Sequence, residues 1–142
     1  MWHIIKFRYK GNQPDMTSKN MTEQVLMDAV NFTDAETTVT NAKAIEYTDF
    51  EVVAISRLKV DEVLPYRVSP DYPSKWFKVK MAFISVNEKT GKETKSPYVV
   101  YLNADSTNTA QKVMNARMQD SVQDYTIEQI IETKVTDVIT QK

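Results

Sequence analysis

Hydrophobic and polar residues alternate strictly in two stretches of the chain, "IIKFRYK" near its start and "FKVKMAF" past its middle. In the first stretch, Ile5, Phe7 and Tyr9 alternate with lysine and arginine, and large apolar residues occupy the corresponding positions of the second. A period of two is typical of a strand that buries one face and exposes the other. Both stretches therefore predict half-buried strands.

The similarity between these two strands continues along the chain. Trp2 and Trp76 stand 74 residues apart, and at an offset of 75 "DFEVVAISRLKVDEVL" matches "DYTIEQIIETKVTDVI". Similarity at a fixed offset is the sequence signature of an internal repeat. The chain is therefore interpreted as one supersecondary unit written twice.

Each repeat is predicted to be a ββαβ unit, the first over residues 1–64 and the second over residues 76–142. The proline-rich stretch 65–75 between them favours a stiff connector, because proline fixes φ and removes a backbone donor. We predict an α+β fold with antiparallel sheet, either one shared sheet or two small ones, and two helices packed on one face. Repeats of this size are marginal alone, so we expect one compact domain with pseudo-two-fold symmetry.

The predicted helices lie between the second and third strands of the repeats. Thr33 with Glu36 has the spacing of a capping box, and Asn108 with Gln111 is a looser form of it. Apolar residues then recur at helical spacing and predict one narrow buried stripe on each helix. The stripes are Ala35, Val39, Ala42 and Ile45, and Ala110, Met114, Met118 and Val122.

Three stretches of the chain resemble an uncharacterised protein family. They are "KWFKVKMAFISVNEKTGKE", "DAVNFTDAE" and "TIEQIIETKVTDVI", and the resemblance covers nearly the whole sequence. The family is a domain of unknown function found in gut Bacteroidales and their bacteriophages, including crAss-like phages. The resemblance implies a phage or mobile-element background, and it implies no catalytic residues.

Composition narrows the function classes. The net charge of −1 gives no overall attraction to nucleic acid or to an anionic membrane, so a polyanion site has to be a local patch. Cysteine is absent, which excludes disulfides and cysteine-bound zinc. The start of the chain has no long apolar segment, and no apolar stretch is long enough to span a bilayer. We therefore expect a cytoplasmic protein that does not associate with a membrane.

An enzyme is not the expected class. His3 is the single histidine, and its place near a terminus predicts a solvated side chain. No nucleophile or nucleotide-binding motif occurs. We predict no catalytic residue, no metal ligand and no cofactor; a metal-dependent hydrolase built from scattered carboxylates is the alternative.

Nucleic-acid binding has the most specific signal. Strand parity places aromatic and basic residues together on the exposed face of both leading strands. Single-stranded nucleic acid is commonly bound by aromatic platforms inside basic grooves. We predict a non-enzymatic module that binds single-stranded DNA or RNA through Trp2, Lys6, Arg8 and Lys10 and through Trp76, Lys78 and Lys80. The plainer interpretation is an ordinary solvent-facing side of each strand.

Protein interaction is the alternative function. Tyrosines near the connector and on a strand, Tyr66, Tyr72, Tyr98 and Tyr101, could anchor an interface. The third strands are candidate sheet edges, which could pair with another chain or with a second copy to form a homo-oligomer. The chain would then be an adaptor or inhibitor of a host or phage protein, for host takeover or anti-defence, or a sponge for a small nucleotide.

Overall fold

The computed structural model describes residues 1–10, 20–45, 47–64 and 75–139. The elements of these ranges, in chain order, are β1 (Trp2–Lys10), β2 (Asn20–Asp28), α1 (Phe32–Lys43), β3 (Thr48–Arg57), β4 (Glu62–Leu64), β5 (Lys75–Val86), β6 (Glu93–Ala104), α2 (Thr107–Arg117), β7 (Asp124–Glu132) and β8 (Val135–Ile139). The α+β class is confirmed, with sheet as the larger part. Except for Lys75, the predicted connector lies outside the described residues, and Tyr66 and Tyr72 lie there with it.

The strands form two four-stranded sheets with the same internal order. The first is β3-β1-β2-β8 and the second is β7-β5-β6-β4. The leading strand of each repeat pairs antiparallel with its neighbours on both sides. The outermost pairs, β2 with β8 and β6 with β4, are parallel. Each sheet is therefore mostly antiparallel, as predicted, with one parallel pair at its edge that the sequence did not predict. The shared order agrees with a duplication.

The parallel pairs arise because the third segment of each repeat is two strands instead of one. After β3, the Leu58 amide donates to the Trp2 carbonyl oxygen at 3.0 Å, and extended pairing with β1 ends. Asp61, directly before β4, then binds β6: its amide donates to the Val99 carbonyl oxygen, and its carboxylate accepts from the Val99 amide, both at 2.8 Å. The extended segment is interrupted between β3 and β4 because β3 pairs in the first sheet and β4 pairs in the second.

The chain divides into two compact units. The first unit is Met1–Lys59 together with β8, and the second is Val60–Thr133, which includes β4. The predicted repeats and the compact units thus differ by one strand each, because the last strand of either predicted repeat adds to the sheet of the other.

The core of the first unit lies between its sheet and α1. Ile5, Phe7 and Tyr9 face this core, as the alternation predicts, and Phe7 is fully buried. The Phe7 ring contacts the rings of Tyr9, Tyr47 and Phe50, with centroids 5.0 to 6.0 Å apart. Burial, with further contributions from Glu23 and Tyr47, raises the pKa of Tyr9 to about 12, so its hydroxyl stays protonated at neutral pH.

The core of the second unit repeats this arrangement on α2. Phe77, Val79 and Met81 of β5 are buried against Ala110 and Met114 of the helix. Both helical stripes are shorter than predicted. Ala35 and Val39 of α1 are buried whereas Ala42 and Ile45 are exposed, and Val122 beyond α2 is fully exposed. The helices end at Lys43 and Arg117, so Ile45 and Val122 lie beyond them, whereas Met118, the C-cap of α2, is still buried as predicted.

The N-cap of each helix lies two residues before the predicted one. The N-caps are Asn31 and Ser106, both in extended conformation, and their side chains accept from the Asp34 amide at 2.8 Å and the Thr109 amide at 3.2 Å. Thr33 and Asn108 lie inside the first turn, so the two predicted capping boxes are wrong. A short polar side chain on an extended residue can accept from the free amides of the first turn. Asn31 and Ser106 are the residues in extended conformation that do so.

His3 is fully buried, which corrects the prediction that it is solvated. Its Nδ1 lies 3.1 Å from the Met1 carbonyl oxygen, and its ring packs edge-on to Phe32 at 5.4 Å. A carbonyl can only accept, so Nδ1 carries the proton. The Nε2 atom is also buried, and it has no hydrogen-bond partner within the described part of the chain.

Replacing His3 with phenylalanine is expected to stabilise the first unit by about 1 to 2 kcal/mol, because a buried polar nitrogen without a hydrogen-bond partner is removed. The corresponding residue of β5 is already Phe77, which is buried. Urea unfolding followed by tryptophan fluorescence measures the change. His3→Ala is the control and should destabilise, because it leaves a cavity. A His3→Phe protein that unfolds at lower urea than the parent would contradict this account.

Candidate nucleic-acid interface and a second cleft

The seven residues of the predicted nucleic-acid site fall into two groups, one in each unit. Within each leading strand they alternate with the core residues and so lie on the sheet face opposite the helix. Trp2 and Trp76 are half-buried, and Lys6 and Lys80 are exposed. Strand parity therefore placed the residues on the expected face, and their use as a binding site stays a prediction.

Acidic residues of β3 neutralise half of the group in the first unit. Arg8 pairs with Glu51 at 2.6 Å, and Lys10 pairs with Asp49 at 3.4 Å. β3 runs antiparallel beside β1 with Arg8 opposite Glu51, so the charges meet across the strand pair. These ion pairs reduce the positive charge that Arg8 and Lys10 offer to a phosphate.

Lys6 lies in a different environment from Arg8 and Lys10. It borders a pocket of about 240 Å³ together with Lys134, the polar residues Thr22 and Gln24, and the acidic residue Glu23. Neither lysine forms an ion pair with any other described residue. Lys6 and Lys134 together with Glu23, whose carboxylate accepts from the Tyr47 hydroxyl, give the lining a net charge of +1. Two ammonium groups beside a hydroxyl and an amide form an arrangement that attracts an oxyanion such as phosphate.

Lys134 was not among the residues predicted from sequence. It stands directly before β8, and β8 is brought beside β2 by parallel pairing of Val135 with Gln24. Sequence comparison did match Lys134 with Lys59 in the repeat, but nothing in that match places it near Lys6. Only the position of β8 in the first sheet brings the two lysines to one pocket.

The group in the second unit has a more apolar setting. Lys78 is half-buried and lies across from Tyr101, whose side chain is buried. Lys80 is exposed, and its cross-strand neighbours are Val99 and Gln129. Among the described residues no acidic partner is found for either lysine. The second unit therefore offers free charge at Lys80, without a polar pocket like that of Lys6.

A second concave site lies in the second unit, on the helix side of its sheet. It is a cleft of about 450 Å³ bordered by Glu62, Phe83, Tyr98, Arg117, Met118 and the loop residues 120–123. The Glu62 carboxylate accepts from the Tyr98 hydroxyl at 3.0 Å and from Arg117 Nε at 2.9 Å. Burial and the hydrogen bond to Glu62 raise the pKa of Tyr98, so its hydroxyl remains a donor. Sequence reasoning missed this cleft because Glu62 reaches it through β4.

Residues 1–10, 20–45, 47–64 and 75–139 contain neither a metal-binding cluster nor a membrane-spanning helix. Within them, no three histidine or carboxylate side chains converge in a way that could hold a metal ion. Neither described helix has the length and apolar character needed to cross a membrane.

These features define a class first: an α+β protein of two four-stranded mixed sheets, with one helix on one face of each. The chain belongs to the family described as Domain of unknown function (DUF4494), whose model matches residues 1–141. The expected resemblance to an uncharacterised family is thereby confirmed. No curated protein and no solved structure matches the chain.

Proposed function

We propose that this protein is a non-enzymatic binding module of phage or mobile-element type, of the kind its resemblance to proteins of Bacteroidales and their phages implies, and that it acts in the cytoplasm. Its ligand in this proposal is single-stranded nucleic acid. The observation that carries the proposal is the polar pocket between Lys6 and Lys134, two lysines without an ion pair among the described residues.

The pocket and Trp2 lie on the same face of the first sheet. Trp2 and Lys6 are four residues apart on β1, which separates them by about 13 Å along the strand. An indole that stacks on a base and a pair of lysines that binds a phosphate further along the strand are the two components of sequence-independent recognition. Because the net charge of the chain is −1, this local pair supplies the attraction.

The proposal is tested by titrating a short fluorescein-labelled oligothymidine with the protein and following fluorescence anisotropy. Lys6→Glu and Lys134→Glu are each expected to weaken binding by at least about tenfold, since a charge-assisted contact contributes about 1.5 to 3 kcal/mol. Each should also reduce the steepness of the salt dependence by about 0.7, the value for one phosphate contact on a single strand.

Lys112→Glu is the matched control. Lys112 is exposed on α2, and its substitution changes the net charge by the same amount. In the Trp76→Phe background, Trp2 is the sole indole and its fluorescence should be quenched by the oligonucleotide. Absence of salt-sensitive binding, or equal affinity of all three charge variants, would reject the proposal. Competition by free mononucleotide as strong as by oligonucleotide would favour the small-nucleotide sponge instead.

Protein binding through a sheet edge is the second candidate. β3 and β7 each have a strand neighbour on one side only within their sheets. Val53 on β3 and Ile131 on β7 are exposed apolar residues on these edges. A strand of a host or phage protein, or of a second copy, could pair there and make the chain an adaptor or inhibitor.

A further inference from the structure

The first unit fills its own cleft at the end of α1 with an aromatic ring. Tyr47, in the loop after the helix, stacks on Tyr9 with ring centroids 3.9 Å apart and planes inclined by 22°. Its hydroxyl donates to a Glu23 carboxylate oxygen at 3.4 Å. The Tyr47 ring thus lies on an aromatic floor formed by Tyr9, is held by a hydrogen bond to Glu23, and closes the first unit at the end of α1.

The second unit has the same floor without the covering ring. Phe83 occupies the position on β5 that Tyr9 has on β1, and Tyr98 occupies the position on β6 that Glu23 has on β2, as the pairing of Met81 with Tyr98 and of Phe7 with Glu23 shows. At the offset of 75, the residue that corresponds to Tyr47 is Val122.

Val122 does not cover Phe83 as Tyr47 covers Tyr9. Its side chain is fully exposed, and it borders the same open cleft as Phe83. The ion pair behind the cleft is nevertheless the same in both units. The last residue of each helix pairs at 2.9 Å with a carboxylate on the parallel edge strand, Lys43 with Asp137 in one unit and Arg117 with Glu62 in the other. The unfilled cleft is therefore a specific difference between two otherwise matching helix ends.

The walls of the open cleft are suited to an aromatic ring. Phe83 and Tyr98 pack edge to face with centroids 5.2 Å apart, and Met118 is buried beside them. The hydrogen bonds from Tyr98 and Arg117 hold the Glu62 carboxylate, so the polar wall is preorganised. The volume of about 450 Å³ lies within the usual range of ligand sites.

The charge of the lining indicates the kind of molecule that carries the ring. Glu62 and Asp120 contribute two negative charges and Arg117 contributes one positive charge, so the cleft has a net charge of −1. A nucleotide would bring its phosphate into this negative field, whereas a basic peptide would be attracted.

We propose that the cleft bordered by Phe83, Tyr98, Glu62 and Val122 binds an aromatic side chain of a basic peptide segment in a partner protein. The ring stacks on Phe83 as Tyr47 stacks on Tyr9 in the first unit. This site is separate from the nucleic-acid site proposed above, because all of its residues belong to the second unit.

The test uses the full chain with labelled methionine and valine methyl groups, titrated with the peptide acetyl-Lys-Tyr-Lys-amide and followed by nuclear magnetic resonance. The methyl signals of Met118 and Val122 are expected to shift. Acetyl-Lys-Leu-Lys-amide should bind up to about tenfold more weakly, because an aromatic pair contributes about 0.5 to 1.5 kcal/mol beyond its buried area. Adenosine monophosphate should leave both signals unchanged.

Val122→Tyr is the decisive variant, because it supplies the ring that the first unit already has. It is expected to abolish the shift at Met118. Val86→Tyr is the matched control: Val86 is also an exposed valine of the second unit but does not border the cleft, so this variant should bind the peptide normally. Phe83→Leu, which removes the aromatic floor, should make the tyrosine and leucine peptides bind equally.

Three results would overturn the proposal. The first is that neither methyl signal shifts with the tyrosine peptide. The second is that Val122→Tyr binds the peptide as well as Val86→Tyr does. The third is that adenosine monophosphate shifts Met118 more strongly than the peptide, which would assign the cleft to a nucleotide.

Discussion

Replacing Val135 with aspartate is expected to unfold the first unit, although Val135 is far from β1 in the sequence. Val135 begins β8, the parallel edge strand of the first sheet, and its side chain is 5% exposed. A carboxylate at this position either loses its hydration or pulls β8 away from β2. We expect a loss of at least about 3 kcal/mol in the free energy of unfolding.

The measurement is urea unfolding in the Trp76→Phe background, in which Trp2 reports on the first unit alone. Thr136→Asp is the control, because the neighbouring residue on β8 is exposed and its substitution introduces the same charge. That variant also loses the 3.2 Å hydrogen bond from the Thr136 hydroxyl to the Gln24 carbonyl oxygen, so it should unfold within about 1.5 kcal/mol of the parent. If Val135→Asp and Thr136→Asp have the same small effect, β8 does not contribute to the stability of the first sheet.

Replacing Phe7 with alanine is expected to cost about 3 to 5 kcal/mol, the usual range for loss of a buried aromatic side chain. Phe7 is fully buried and lies at the centre of a cluster with the rings of Tyr9, Tyr47 and Phe50. The cavity would remove contacts to all three rings at once. Thermal and urea unfolding, again read through Trp2, measure the loss.

Phe32→Ala is the matched control for Phe7→Ala. The Phe32 ring is half-exposed, with the edge of His3 and the Arg57 guanidinium as its aromatic and cation-π contacts. Its loss should cost about 1 kcal/mol or less. A Phe32→Ala protein that is as unstable as the Phe7→Ala protein would mean that the aromatic cluster is not the main source of stability in this unit.

Local pattern predicted the strands and their faces. The alternation of Ile5, Phe7 and Tyr9 with basic residues placed both groups on the faces where the structure has them, because side chains of a strand point alternately to its two sides. The helices were also predicted in their correct places, but their caps were not. Asn31 and Ser106 are each followed by several polar residues that could cap equally well, and only the backbone conformation selects among them.

Burial of individual residues was less predictable. His3 was expected in solvent, yet it takes the position that phenylalanine has in the second unit and is buried like it. Val122 was expected on a buried stripe, yet it is fully exposed, because α2 has ended at Arg117 and the loop turns the residue outward. Both predictions were wrong because burial depends on which residues lie nearby in space, and the type of a single residue does not indicate this.

The sequence by itself determined the α+β class, the two similar series of elements, the inward faces of the leading strands and the local position of the basic residues. These features depend on neighbours a few residues apart, and a single sequence contains them. Only the tertiary structure decided which sheet each closing strand joins. Backbone hydrogen bonding gives β4 and β8 no preference that can be read locally, so their destinations depend on contacts far away in the chain. Both candidate sites follow from those destinations, since β8 brings Lys134 to Lys6 and β4 brings Glu62 to Tyr98 and Arg117.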